Sequence, residues 1–148
     1  MIGSKCRFRS AFRSNFIGMN RPCGISTHSK EALIRIGDSC GFSATSIGAH
    51  QSIVIGNYVF CGANTVITDF DWHVNRKFLQ KEAMESAPVT IEDNVWLGMN
   101  CVVLKGVHIG ANTILGANSV VTHSLPENII AAGCPARVIK VKVLTKDR

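Results

Sequence analysis

The residue whose type and position best suit chemistry is His73. It closes the run Asp71-Trp72-His73 inside a segment, Asp69 to Pro88, that lacks the repeat found on either side. Segments that leave a rigid scaffold often carry binding and catalytic groups. A neutral imidazole can accept a proton at physiological pH, and a positioned general base typically contributes ~10² to 10⁴ in rate. We therefore expect His73 to act as a general base, with Asp71 as a candidate for orienting its ring or contacting a substrate.

The simplest alternative is that His73 is an ordinary surface histidine. Four other histidines compete with it for a chemical role, and we expect most of them to face solvent: His28, His50, His108 and His123.

The scaffold around His73 is set by a six-residue repeat. An aliphatic residue opens each unit after the segment, at Ile91, Leu97, Val103, Ile109, Leu115 and Val121. This period is typical of a coiled β-solenoid, in which three units make one triangular turn and the openers fill the interior. Glycine and asparagine near the corners let the backbone turn tightly.

An earlier block, from about residue 34 to 68, carries the same repeat less regularly. Its clearest units open at Ile36, Ile47, Ile55 and Cys61. The register slips between Ile47 and Ile55, which predicts an extra residue bulging outward at a corner. The sequence therefore predicts an all-β solenoid with an excursion loop at about 69–88.

The two ends of the chain are predicted to differ from this solenoid. Residues 1–33 show no firm repeat and are interpreted as a basic lead-in segment, the β-helix is expected over 34–143, and 144–148 are expected to form a tail. The alternating stretch 138–143 is predicted to cap the open end of the coil, because an uncovered strand edge invites aggregation.

Composition limits the classes of function. A net charge of +6 favours an anionic partner, which could be nucleic acid, an acidic membrane surface or a phosphorylated cofactor. Apolar runs are too short for a membrane span of ~18 to 20 residues or for a secretion signal, so we expect a cytoplasmic location. The six cysteines form no CxxC pair, which favours core positions over a disulfide framework or a zinc ribbon.

Three motifs carry a resemblance to a known family. They are ITDFDWH at 67–73, APVTIEDNVWLG at 87–98 and AAGCPARVIK at 131–140. Together they resemble the hexapeptide-repeat acyltransferases, in particular the galactoside and maltose O-acetyltransferases and the surface-polysaccharide O-acetyltransferases. The resemblance implies a left-handed parallel β-helix and a homotrimer with active sites between subunits. It also implies acetyl-CoA as the acyl donor, with no metal and no nucleic acid partner.

The same resemblance assigns site residues. In such enzymes a histidine at the position of His73 is the general base, and the backbone amide of Met99 would donate to the carbonyl oxygen as it becomes negative. Cofactor contacts are implied for Trp96, Met99, Ala117, Thr122, His123, Arg137 and Lys140. An early-coil asparagine that binds the acceptor in the sugar acetyltransferases has no counterpart here, and Ser43 is the candidate to replace it.

We therefore expect an acetyl-CoA-dependent O-acetyltransferase acting on a sugar hydroxyl of a cell-surface polysaccharide or its precursor. A lipid-linked acceptor met at an anionic membrane surface fits the basic lead-in. The alternatives are N-acetylation of an amino sugar and a non-catalytic solenoid scaffold. A zinc hydratase built on the same coil is disfavoured, because no two histidines have the five-residue spacing of its metal ligands.

Overall fold

The structure, a computed structural model, describes residues 1–73 and 85–142. Its strands form three sheets, here called faces A, B and C, which the chain visits in that order on each coil. Face A contains β3 (Leu33–Ile36), β6 (Ser52–Ile55), β9 (Val89–Ile91) and β12 (His108–Ile109). Face B contains β1 (Arg7–Arg9), β4 (Gly41–Ser43), β7 (Phe60–Cys61), β10 (Trp96–Leu97), β13 (Ile114–Leu115), β15 (Ile129–Gly133) and β16 (Ala136–Val141). Face C contains β2 (Gly24–Thr27), β5 (Ser46–Ala49), β8 (Val66–Thr68), β11 (Val102–Val103) and β14 (Val120–Val121).

The openers of the repeat stack in register from coil to coil. On face A, for example, Ile55 pairs with Ile91, and Ile91 pairs with Ile109, all in parallel. These side chains are at most 1% exposed and belong to one continuous core. Fully burying such a side chain contributes about 1.5 to 3 kcal/mol. The predicted solenoid of three six-residue units per turn is confirmed.

Asparagine provides the tight corner between faces A and B. Asn94, Asn112 and Asn128 all have φ of 58°, a left-handed conformation that asparagine tolerates better than most residues. Their side chains form a ladder, with Asn94 donating to Asn112 at 2.8 Å and Asn112 donating to Asn128 at 2.9 Å. The corner amides are therefore satisfied from one coil to the next.

The register slip between Ile47 and Ile55 has a structural counterpart at one corner. The strand that contains Ile47 continues to Ala49, and the next strand buries both Ile53 and Ile55. The additional residues form the turn at 50–51 between faces C and A.

The strands cross the predicted boundary between the lead-in and the β-helix. Residues 1–33 contribute β1, which pairs in parallel with β4, and β2, which pairs in parallel with β5. Phe8 stacks on Phe42 of the next coil, with ring centroids 5.0 Å apart. The repeat is hard to read in this coil because residues 10–23 intervene between its strands on faces B and C.

At the other end, β15 and β16 form an antiparallel hairpin. The outer edge of β15 on face B is therefore hydrogen-bonded by the returning strand, in the place where the sequence predicts an end cap. Lys142 continues this closure, because its backbone N–H donates to the carbonyl oxygen of Asn128.

The six cysteines are free. Cys40, Cys61 and Cys101 are buried, Cys6 and Cys23 are half-buried, and Cys134 is exposed. Burial raises the pKa of the Cys40 thiol to about 11 and also raises the pKa of Cys61 and Cys101. Within 1–73 and 85–142, no helix is long and apolar enough to cross a membrane.

Candidate active site

The loop that carries His73 leaves the solenoid at the corner between faces C and A. Its two ends run side by side, because the Asp71 N–H donates to Glu85 O at 3.0 Å and the Ala87 N–H donates to Asp69 O at 2.8 Å. Phe70 and Ser86 form an antiparallel bridge between them. His73 is exposed and has no hydrogen-bond partner within the described ranges. Residues 74–84 of the predicted excursion lie outside the described residues.

Asp69 fixes the start of this loop. Its carboxylate is fully buried and accepts three consecutive backbone N–H groups of the preceding coil, those of His50, Gln51 and Ser52, at 2.7, 2.8 and 2.5 Å. Hydrogen bonds to an ionised group are roughly twice as strong as neutral ones. The widened corner at the register slip therefore serves as the anchor of the loop, which the sequence did not predict.

Asp71 pairs with Lys105 and not with the His73 ring, which the sequence suggests as its partner. Its Oδ2 accepts a hydrogen bond from the Nζ of Lys105, which also lies 3.4 Å from Oε2 of Glu85. The hydrogen bond to Asp71 is the main reason that the pKa of Lys105 is raised. Among the described residues Asp71 therefore holds the loop to the next coil and makes no contact with the His73 imidazole.

A group of four packed rings includes Trp72, the residue before His73. Trp72 packs at 4.6 Å from Phe70 and edge-on at 4.7 Å from His28, while His50 lies 5.6 Å from Phe70. The Trp72 ring rests on Gly48, since a Cβ built on that glycine would be 2.9 Å from Cζ2. His28 and His50 are thus packing partners of the loop. His28, His108 and His123 are exposed and His50 is half-buried, so the expectation that most of these histidines face solvent is confirmed. Trp72 remains 51% exposed next to His73.

Two of the predicted cofactor residues lie together. His123 and Arg137 line a cavity of about 360 Å³, along with Pro126 and Val138. Thr122 is joined to this cavity through a 2.8 Å hydrogen bond between its Oγ1 and Nδ1 of His123. Lys140 is exposed three residues further along β16.

The other predicted contacts lie elsewhere on the solenoid. Trp96 is 55% exposed on face B and lines a cavity of about 470 Å³ with Phe60 and Ile114. Met99 and Ala117 lie at the corner between faces B and C. Successive coils approach closely at this corner, because a Cβ on Gly62 would be 2.6 Å from the Met99 nitrogen.

Ser43 belongs to the same corner as Met99. It ends β4, is 8% exposed, and its Oγ accepts a hydrogen bond from Asn15 Nδ2 at 3.2 Å. The structure therefore places six of the predicted site residues at two corners. His73, Thr122 and His123 share the corner between faces C and A, whereas Met99, Ala117 and Ser43 share the corner between faces B and C.

The width of face C separates these groups within one chain. About five residues of extended backbone lie between the two corners, which corresponds to roughly 17 Å. Within the described part of the chain, no cluster of three or more histidine, cysteine or acidic residues is arranged to hold a metal ion.

Comparison with known proteins places these features in a class. The sequence profile of the family described as bacterial transferase hexapeptide (six repeats) matches residues 88–123. The chain is 33% identical to the galactoside O-acetyltransferase of Lactococcus lactis, over 99% of this chain and 64% of that protein. It is 38% identical to the galactoside O-acetyltransferase of Escherichia coli, over 60% of this chain and 44% of that protein. The chain thus spans less than two thirds of the length of these relatives.

Solved structures agree with this assignment. A hexapeptide-repeat acetyltransferase from Vibrio cholerae aligns with a TM-score of 0.72 and 28% identity, over 94% of this chain and 72% of that one. A crystal structure of that protein in complex with acetyl-CoA aligns with a TM-score of 0.67.

The chain therefore has the left-handed parallel β-helix fold of the hexapeptide-repeat acetyltransferases. It is similar in sequence and in structure to the acetyltransferases of that class, and the predicted resemblance is confirmed.

Proposed function

We propose that this protein transfers an acetyl group from acetyl-CoA to the hydroxyl of a sugar, in a surface glycan or its precursor. The observation that carries the proposal is the corner between faces C and A. There His73 is exposed and has no hydrogen-bond partner in the part of the chain that the structure describes, and a buried anchor holds the start of its loop. A cavity lined by His123 and Arg137 lies two coils further along the solenoid. Galactoside O-acetyltransferases among the relatives support a sugar acceptor.

His73 accepts the proton of the acceptor hydroxyl while the oxygen attacks the thioester carbonyl. The backbone N–H of Met99 donates to the carbonyl oxygen as it gains negative charge, and a fixed amide does so without reorganising. The carbon–sulfur bond then breaks, and the His73 imidazolium returns the proton to the departing thiolate. The products are the acetyl ester and free CoA.

The donor is bound, in this proposal, by the cavity at the C-terminal end. The Arg137 guanidinium offers a bidentate contact to a phosphate. His123, with Thr122, supplies polar contacts, and Trp96 packs along the apolar part of the donor. Lys140 and Ala117 extend this contact, and Ser43 faces the acceptor.

A second copy of the chain completes the site. His73 and the Met99 amide lie at different corners of successive coils, too far apart to act on one bond, so we propose that the two groups come from neighbouring subunits of a homotrimer. This arrangement predicts that activity depends on assembly. Sedimentation equilibrium measures the assembly, and a fully active monomer would contradict it.

The alternative function is N-acetylation of an amino sugar. A 68-residue stretch is 50% identical to the tetrahydropyridine-dicarboxylate N-acetyltransferase of Clostridium botulinum, over 45% of this chain and 29% of that protein. His73 could equally take a proton from an ammonium or amine acceptor. A panel of sugars and amino sugars, each incubated with acetyl-CoA and followed by release of free thiol, distinguishes the two acceptors.

The decisive variant is His73→Ala. We expect thiol release with the best acceptor to fall at least ~10²-fold, while thermal stabilisation by CoA is kept. His108→Ala is the matched control, because that histidine is also exposed but lies on face A. Thiol release from His73→Ala at the wild-type rate would refute the role of His73. Absence of transfer to every acceptor, together with no thermal shift on adding CoA, would favour a scaffold.

A further inference from the structure

The corner between faces B and C gives the acceptor one direction of approach. Met99 lies at this corner, and Ala117, assigned to the donor, lies there one coil further toward the C-terminus. If the reacting carbonyl sits at Met99 and the donor extends over the later coils, the acceptor must approach along the earlier ones. Those coils place Ala63 and Ser43 at the corner, one and two coils before Met99.

A segment of the first coil follows this part of the corner. Nδ2 of Asn15 donates a hydrogen bond to Oγ of Ser43 at 3.2 Å. Further on, Met19 is buried in a small apolar cluster against which Met99 packs. Residues 15–21, here called the corner segment, therefore form one wall of the space that the acceptor would enter.

Two guanidinium groups are held at the same corner. Arg21, the last residue of the corner segment, donates to the carbonyl oxygens of Ala44 and Asn64 at 3.3 and 2.8 Å. Arg9, at the end of β1, donates to the carbonyl oxygen of Ser14 at 2.8 Å. Both side chains are exposed. Because a guanidinium has five N–H donors, each arginine keeps most of them for a ligand.

This corner carries positive charge that no acidic residue of the described ranges offsets. Every aspartate and glutamate within 1–73 and 85–142 lies on face A or at one of its two corners. Arg13 adds a third exposed cation on the turn Phe12–Ser14. The basic residues Arg137 and Lys140 are separate, at the C-terminal end that is assigned to the donor. The potential on the acceptor side of Met99 is therefore positive.

We propose that Arg21 and Arg9 form an anion subsite, and that the acceptor is an acidic sugar with a carboxylate. This inference rests on the acetyl transfer proposed above. Arg21 is bonded to the third coil, one spacing of ~4.8 Å before Met99, which a single sugar ring can span. A carboxylate on the acetylated ring would therefore meet Arg21, and one on the next sugar would reach Arg9. Guanidinium and carboxylate groups pair through two parallel hydrogen bonds.

The same charge acts against a protonated amino sugar. At neutral pH such a sugar carries an ammonium group, and placing it beside two guanidinium groups costs free energy. The corner therefore ranks three kinds of acceptor, with acidic sugars first, neutral sugars second and amino sugars last.

The test compares sugars that differ in one substituent. Galacturonate, galactose and galactosamine, each as its methyl glycoside, are incubated with acetyl-CoA and the full chain, and free thiol is followed. The glucose series is measured in the same way. We expect kcat/KM for the acidic sugar to exceed that for the neutral one at least ~10-fold, with a smaller excess at about 0.5 M salt, where the Debye length is ~4 Å. Equal values, or the highest value for the amino sugar, would overturn the proposal.

Variants assign the preference to the two arginines. Arg21→Gln and Arg9→Gln should each lower the ratio of kcat/KM between acidic and neutral sugar at least ~5-fold, and Arg21→Lys should keep part of it because the charge remains. Arg35→Gln is the matched control, an exposed arginine on face A, and should leave the ratio unchanged. A ratio that neither Arg21→Gln nor Arg9→Gln lowers would overturn the proposal.

Sedimentation equilibrium tests the other role that these arginines could have. We expect the glutamine variants to assemble like the wild type, with unchanged melts by circular dichroism. Dissociation of the assembly by both variants would show that the arginines belong to the contact between subunits, and would overturn the anion subsite.

Binding without turnover separates this proposal from the proposed function. Saturation-transfer difference NMR detects galacturonate on the protein without acetyl-CoA. Galacturonate binding that Arg21→Gln weakens, combined with no transfer to any sugar, would support the anion subsite and count against acetyl transfer to sugars. Transfer to neutral sugars without a preference for acidic ones would count against the anion subsite alone.

Discussion

The Nζ of Lys105 donates a hydrogen bond to Oδ2 of Asp71, two residues before His73. The same ammonium group lies 3.4 Å from Glu85, on the returning end of the loop. Lys105 belongs to the coil that follows the loop, at the corner between faces C and A. It therefore ties both ends of the His73 loop to the rigid solenoid, and we regard it as a positioning residue.

Lys105→Met should lower kcat for acetyl transfer while leaving KM for acetyl-CoA nearly unchanged. The substitution keeps the length of the side chain but leaves two carboxylates facing each other without a cation. Misplacing a general base by about 1 Å costs roughly 10 to 100-fold in rate. Steady-state kinetics with both substrates varied measures the split.

Lys105→Arg should restore most of the rate, because charge and reach are kept. The ion pair is partly exposed and contributes only about 0.2 to 1 kcal/mol to stability. Since Asp71 raises the pKa of Lys105 above its ordinary 10.5, that contribution is complete below pH 10.5 and is lost as the pH rises through the raised value. Wild-type kcat in Lys105→Met would exclude the positioning role.

Glu92 should make stability depend on pH in the acid range. Its Oε2 accepts the Ala111 N–H at 2.8 Å and its Oε1 lies 2.8 Å from Nε2 of His108. The bond from Ala111, followed by that from His108, lowers the pKa of Glu92 below its ordinary 4.5. The stabilisation is therefore present above pH 4.5 and is lost as the pH falls through the lowered value.

Glu92→Gln should accordingly melt at a lower temperature than the wild type at neutral pH, and the difference should vanish near pH 2. Thermal unfolding followed by circular dichroism, from neutral pH down to about pH 2, measures this difference in melting temperature. Glu127→Gln provides the comparison, as an exposed glutamate on the adjacent corner. A Glu92→Gln deficit of constant size at every pH would show that ionisation plays no part.

The sequence predicts those parts of the fold in which one physical rule repeats. The openers of the repeat, such as Leu97 and Val103, must point into the interior of the solenoid. Their spacing alone predicts the three faces and the pairing register of the strands. The six-residue repeat does not predict the first coil, because the strands Arg7–Arg9 and Gly24–Thr27 are separated by fourteen residues. No periodic signal survives an insertion of that length.

The site is predicted less completely, because its supports come from different coils. His73 and Arg137 stand in recognisable motifs. Asp69, Lys105 and His28 act through partners that are about 20 to 45 residues away, and a single sequence does not reveal such contacts. The Asp69 anchor has one visible sign, the register slip between Ile47 and Ile55, which marks the corner that it binds.

Arg137→Ala should raise KM for acetyl-CoA more than it lowers kcat. Arg137 lines the cavity with His123, whereas Lys140 is exposed further along the strand, so Lys140→Ala should have the smaller effect. Loss of a charge-assisted phosphate contact corresponds to about 1.5 to 3 kcal/mol, or roughly 10 to 100-fold in KM. Desulfo-CoA binding by calorimetry checks the change without turnover. An unaltered KM in Arg137→Ala would remove this residue from the donor site.

Asp69→Asn should be the most destabilising of these changes, and it should also impair transfer. The buried carboxylate accepts three backbone N–H groups, and an amide of the same shape offers one acceptor oxygen and sets its NH₂ against a donor. We expect the free energy of unfolding to fall by about 2 to 4 kcal/mol. Asp93→Asn is the control, since that exposed carboxylate accepts a single backbone N–H, from Asn57. Urea unfolding compares the two. If both substitutions lower the free energy of unfolding by the same small amount, Asp69 is not the anchor, and the other contacts of the loop, such as that with Lys105, hold it in place.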